Sequence, residues 1–173
     1  MSVQIRDTYL YENKTYYLLA RKGRKLEFNP SQFQLHPTSI CTACWAGYFC
    51  EYEIKEDRLF LNHLYIHCDE DEYPKLNGVP INLNTDDDHY DHCHYDNVQL
   101  PIVGSGTCRI LLGADCIART ASEADNYWNY ETLKEFTFKK GVLVDVKDRK
   151  KDDKQILRYG RKTHQGSLRF PIR

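Results

Sequence analysis

Long apolar runs are missing from this sequence. No segment approaches the roughly 18 consecutive apolar residues that a membrane-spanning helix requires, so no such span is expected. The opening residues MSVQIRDTYL carry no apolar core of the signal-peptide kind, which predicts a cytoplasmic protein. Helix-favouring residues are also scarce. One methionine and few alanines stand against 13 tyrosines and seven phenylalanines, a balance that favours strands. The cysteine count of seven is odd, and with no secretory signal an oxidised scaffold is not expected, so the thiols read as reduced. Cys50, Cys108 and Cys116 fall at strand positions that want a small apolar side chain, and each reads as a core filler. Catalytic signatures are lacking as well. No cysteine sits in a papain-like or caspase-like context, no nucleophile elbow is present, and Gly104-Ser105-Gly106 lacks the lysine and helix of a phosphate-binding loop.

What is present is strand alternation, strongest in TSICTACWAGYFCEYEIKEDRLFLNHL, residues 38–64. Cys44, Ala46, Tyr48, Cys50, Tyr52 and Ile54 fall on one side of an extended chain, and Trp45, Gly47, Phe49, Glu51, Glu53 and Lys55 on the other. The polar turn Lys55-Glu56-Asp57-Arg58 makes this a β-hairpin. In its return strand Leu59 and Leu61 alternate with Phe60, Asn62 and Leu64, so that both faces read as partly apolar. Gly47 predicts a bulge or a close approach by another backbone.

The remaining chain reads as further hairpins. The first is Asp7 to Ala20 with a turn at Glu12-Asn13-Lys14, followed by a basic connection, Arg21 to Lys25, and a proline-containing loop, Asn29 to Pro37. Asp69 to Asp96 holds nine acidic residues and one lysine, and reads as a surface excursion with turns. Extended structure resumes at Gln99 to Ile102 and Cys108 to Leu112, and Gly113-Ala114-Asp115 reads as an interruption. Ala118 to Asn129 has room for a helical turn. A last hairpin joins Tyr130–Phe138 to Val142–Val146 through Lys139-Lys140-Gly141. From Lys147 to Arg173 there are ten Lys or Arg against three Asp, a charge of +7 that leaves the rest of the chain at −8 within a total of −1.

The expected organisation is one mainly β domain, residues 1–146, with an acidic Cys- and His-containing insert at 69–96 and a basic tail at 147–173. Its fold is expected to be an antiparallel, hairpin-rich sandwich or partly open barrel. The expected core is Trp45, Tyr48, Cys50, Tyr52, Ile54, Leu59, Leu61, Ile110, Leu112, Phe136, Phe138 and Val144. The order of the motifs NKTYYLL, TSICTACWAGYFCEYEIKEDRLFLNHL, NGV, YDNVQLPI, GSGTCRILLGADCI and YETLKEFTFKKGVLVDV resembles a family of uncharacterised bacterial proteins of the Firmicutes type. The resemblance implies a single β-rich domain. It carries no established activity and no site residues, and the insert and tail depart from it.

Four groups of residues are candidates for chemistry. Cys41 and Cys44 have CxxC spacing, and with His92 and His94 they would make a tetrahedral zinc site, although CxxC in a strand sends its thiols to opposite faces unless the chain turns there. His63 and His67 flank Tyr65 on one strand face. At four residues apart they lie about 13 Å from each other in an extended chain, too far to share an ion, so they read as edge histidines. Asp86, Asp87, Asp88 and Asp91 suit electrostatic recognition of a basic partner. Arg158, Arg161 and Lys162, beside Tyr159 and Phe170, suit phosphate contact and base stacking on nucleic acid. Composition and pattern together favour a non-catalytic binding protein with a protein partner, of which a toxin-neutralising immunity protein is one form. The alternatives are a zinc-binding protein or metal-dependent enzyme, and a nucleic-acid binder.

Overall fold

The computed structural model describes residues 4–39, 42–67, 69, 72–83, 93–120 and 123–152. These residues form a mainly β molecule with strands β1 (Thr8–Tyr11), β2 (Lys14–Gly23), β3 (Tyr48–Lys55), β4 (Arg58–Ile66), β5 (Cys93–Tyr95), β6 (Leu100–Pro101), β7 (Thr107–Cys116), β8 (Tyr130–Lys139) and β9 (Val142–Asp148). Three short 3-10 turns, Pro30–Phe33, Glu123–Asp125 and Tyr127–Asn129, supply the helical content. No helix among the described residues is long and apolar enough to cross a membrane.

Seven of the strands close into a ring in the order β1-β2-β7-β8-β9-β4-β3 and back to β1. The fold is therefore a closed barrel, beyond the sandwich or partly open barrel that the pattern suggested. Six of the seven joints are antiparallel and the β1–β3 joint is parallel. That exception is a matter of counting: strand directions that alternate around an odd ring cannot close without one parallel pair. The joint between β4 and β9 is the slenderest, a single register position at Arg58↔Val142 with Leu143 N–H donating to Asp57 O at 2.7 Å. Beyond that joint β6 and β5 take the same edge of β4, at Phe60↔Pro101 and at Leu64↔Tyr95.

The three predicted hairpins are joined by two-residue turns with both central residues at positive φ: Glu12 (49°) and Asn13 (60°), Glu56 (49°) and Asp57 (55°), Lys140 (50°) and Gly141 (81°). Turns of this hand match the right-handed twist of the strands that they connect. Inside the ring, Cys50, Tyr52, Ile54, Leu59, Leu61, Ile110, Leu112, Phe136 and Phe138 are buried as expected, and Tyr48 packs against them partly buried. The connection between β2 and β3 adds Leu26, Phe28 and Leu35 to this core. A second, smaller cluster of Leu19, Ala20, Leu111, Tyr127, Tyr130 and Leu133 forms where the 3-10 segment after β7 packs on the sheet.

Several expectations are corrected by local geometry. Trp45 is half exposed because the chain is still turning at residues 42–47, and β3 begins only at Tyr48. Gly47 sits in that turn at φ +73°, where a Cβ would come within 2.4 Å of the Thr38 carbonyl oxygen, so the expected close approach is present. Val144 is exposed because a register shift between Thr137 and Phe138 leaves it as an extra residue on β9. Cys116, at the end of β7, is exposed and is no core filler, whereas Cys50 and Cys108 are buried. Gly113-Ala114-Asp115 does not interrupt β7. Leu19 Cδ1 and Tyr130 Cγ lie 2.6 and 2.7 Å from where a Gly113 Cβ would be, so two other side chains fill the space that glycine leaves. The basic connection also starts later, since Arg21 to Gly23 pair with β7.

In β4 the register shifts between Glu51↔His63 and Tyr52↔Leu61, leaving Asn62 as an extra residue. The bulge resets the alternation, so Leu64 and Ile66 are buried along with Leu59 and Leu61. The return strand thus has one fully buried face, and Phe60 and Tyr65 make the other partly apolar, as expected. The acidic insert is not confined to the surface either: Leu76 and Tyr95 are fully buried. At the other end, β9 runs to Asp148 and Arg149 pairs with Glu135 at 2.7 Å, so the barrel extends past the expected boundary at 146.

Candidate functional site

The outer face of β3, β4 and β5 brings together a row of rings and a row of ionisable groups. Its arrangement follows from register. Phe49 lies opposite Tyr65, and Tyr65 opposite His94, which puts one ring from each of three neighbouring strands in a row. Phe49 and Tyr65 stack with centroids 4.6 Å apart and planes 10° from parallel, and Tyr65 and His94 follow at 6.0 Å and 34°. Pairs of this geometry are worth about 0.5–1.5 kcal/mol beyond the area they bury.

The adjacent row is polar. Glu51 lies opposite His63, and Asp96, one residue beyond β5, reaches His63 Nδ1 with Oδ1 at 3.0 Å and His94 Nε2 with Oδ2 at 3.2 Å. One carboxylate therefore spans two imidazoles. The Asn62 bulge is what turns His63 outward, and Tyr95, buried between His94 and Asp96, leaves those two on the same side. His63 bonded through Nδ1 has that nitrogen protonated and leaves Nε2 for another partner. His94 Nε2 has two candidate partners, because the Asn82 amide nitrogen also lies 3.0 Å away. As an acceptor Nε2 takes the Asn82 amide N–H, and as a donor it serves Asp96, so the tautomer decides which of the two it bonds. Asn82 is held in place by two backbone hydrogen bonds with His94, of 2.7 and 3.0 Å.

Farther along the same strands, Lys55 Nζ lies 2.9 Å from Glu53 Oε2 and 5.4 Å from the Phe60 ring centroid. Gln99 Nε2 donates to Glu53 and to Asn62 Oδ1, bracing the bulge. The Lys55 ammonium, seconded by Gln99, holds the Glu53 carboxyl below the usual range against the opposing effect of burial.

Of the described residues singled out from sequence, His94 and His63 belong to this site, and Cys44 and His67 do not. Cys44 is buried at the turn before β3. Cys41, His92, Asp86, Asp87, Asp88, Asp91, Arg158, Arg161 and Lys162 lie outside the described residues. Among the described residues no group of three or more His, Cys, Asp and Glu side chains is arranged to hold a metal ion. Sequence reasoning misses Asp96, Phe49 and Tyr65 as site residues and sets His63 aside as an edge histidine. The available signal is the i, i+2 pair His94 and Asp96 facing the i, i+2 pair His63 and Tyr65. No family model, no curated protein and no solved structure matches the chain.

Proposed function

We propose that this is a non-catalytic binding protein that takes a basic polypeptide segment on the outer face of β3, β4 and β5. The observation that carries the reading is the in-register row of Phe49, Tyr65 and His94, bordered by Asp96 and Glu51. A guanidinium is planar and weakly hydrated, so it stacks on such a row while its N–H groups reach a carboxylate at the border. The two oxygens of Asp96 offer about four acceptor positions, of which the two histidines use at most two, so the carboxylate keeps capacity for an incoming donor. The net charge of −8 before residue 147, including Asp86, Asp87, Asp88 and Asp91, favours approach of the same kind of partner. An immunity protein held against a basic toxin surface inside the cell is one form that this takes.

Anisotropy of a labelled arginine-rich peptide, compared with its lysine counterpart and with a single-stranded oligonucleotide, tests the reading. Arginine should bind several-fold more tightly than lysine, and Tyr65→Ala and Asp96→Asn should each weaken it by about three- to tenfold, the scale of a partly exposed cation–π or charge-assisted contact. Equal binding of the two peptides, or variants that bind as well as the parent, would refute it. Tighter binding of the oligonucleotide would favour the basic tail with Arg158, Arg161 and Lys162 instead.

A further inference from the structure

We propose that the open edge of β9 is a self-association surface, on which a second copy of this chain adds its own β9 antiparallel about Val146. The inference starts from where the ring stops. β9 meets the turn of the β3–β4 hairpin at Arg58↔Val142 and Asp57–Leu143, and then outruns it. Among the described residues no strand pairs with that edge of β9 beyond Val142, and Val144 is 49% exposed.

The direction of the backbone groups on this edge follows from the β8–β9 ladder. Arg149 N–H donates to Leu133 O at 2.8 Å, in the register Lys134↔Asp148, Glu135↔Lys147, Phe136↔Val146, Thr137↔Asp145. Hydrogen-bonded pairs alternate in an antiparallel ladder, so Lys147 and Asp145 are committed to β8, and Val146 and Asp148 turn N–H and C=O outward. An added strand must pair with those two residues.

Side-chain charge then selects the register. A twofold pairing centred on Val146 exchanges both of its backbone hydrogen bonds with the second copy and sets Asp145 opposite the second copy's Lys147, twice over. Centring on Asp145 or Lys147 would set like charges opposite each other and oppose backbone groups already used by β8. Centring on Asp148 would face two aspartates, with Lys147 against Arg149. Centring on Val144 would run the added strand into the β3–β4 turn at Asp57. One register therefore satisfies both backbone and charge. Asp145 and Lys147 already lie side by side on one exposed face at 2.8 Å, with 41% and 55% of their side-chain surface accessible, so the exchange needs no rearrangement of the barrel. Because each copy consumes the edge of the other, the assembly closes as a dimer. The extra residue at Val144 keeps the pairing short.

Sedimentation equilibrium of the full chain over a range of concentrations tests the proposal, together with hydrogen exchange of the peptide spanning 143–149. A reversible dimer is expected, with the Val146 and Asp148 amides exchanging more slowly as concentration rises. Asp145→Lys should weaken the dimer by about tenfold or more, since it sets like charges opposite each other at both ends. The double variant Asp145→Lys with Lys147→Asp should restore most of the loss. Lys147 is exposed and Asp145 half-buried, and an unchanged circular-dichroism spectrum and melting point would show that the fold persists. A chain that stays monomeric throughout, or a dimer that Asp145→Lys leaves intact, would overturn the proposal.

Discussion

At the scale of single residues, burial separates groups that look alike in sequence. Burial pushes the Cys108 thiol up to about 11, with Arg21 pulling the other way, whereas Cys116 stands exposed at the end of β7. The thiolate is the reactive form, so iodoacetamide at neutral pH should modify Cys116 readily and leave Cys108 and Cys50 unmodified until the protein unfolds. Peptide-resolved mass spectrometry reads the difference, and equal labelling of Cys116 and Cys108 in the native protein would contradict the burial of Cys108. The turn at Glu56 and Asp57 is another residue-scale feature: both residues hold positive φ without being glycine. Replacing them with Asn-Gly should remove about 1 kcal/mol of backbone strain and raise the melting temperature by about 2–4 °C. Glu53 carries a sign that can be worked out. Its carboxyl is held low by Lys55, so its contribution to stability is complete above the ordinary glutamate range and is lost as pH falls through the lowered folded value. Urea unfolding across that acid range should show the loss, and Lys55→Met should flatten it.

At the scale of elements, the hairpins were legible and the irregularities between them were not. Period-two alternation with a polar turn marks β1–β2, β3–β4 and β8–β9, because the pattern and the pairing are both local. Gly113 shows the limit. In sequence it punctuates a strand, and only the side chains of Leu19 and Tyr130, remote in the chain, make it a strand residue. Gly113→Ala should destabilise the barrel by about 1–3 kcal/mol through overpacking, as measured by denaturant unfolding; a neutral effect would place those side chains elsewhere. The bulge at Asn62 was written in the sequence as two polar residues between Leu61 and Leu64, but its effect on facing could be read only once the partner strand set the register. The same holds for the site. Phe49, Tyr65 and His94 come from three strands, and the insert between β4 and β5 hides the pairing of Tyr65 with His94; no local pattern joins them.

At the scale of the whole molecule, closure ties distant segments together. Arg149 and Glu135, at 10% and 5% side-chain exposure, form an ion pair where a sequence reading places the start of a tail. Removing one partner of such a buried pair costs about 3–5 kcal/mol, so Arg149→Ala should lower stability far more than a change in an exposed basic residue such as Lys150. Closure also fixes which strand edges are used up. β3 pairs with β1 and β4, and β4 is paired by β3 on one edge and by β9, β6 and β5 in turn on the other, which sets the three rings in register; among the described residues β9 is left partly open. These features support the proposed binding face, with the barrel behind it.

Backbone amide shifts of the ¹⁵N-labelled protein, mapped as an arginine-rich peptide is added, put that face to the test. The changes should gather at Phe49, Glu51, His63, Tyr65, His94 and Asp96 and be lost in the Tyr65→Ala variant. Changes confined to other surfaces, with this face unmoved, would contradict the proposed binding face.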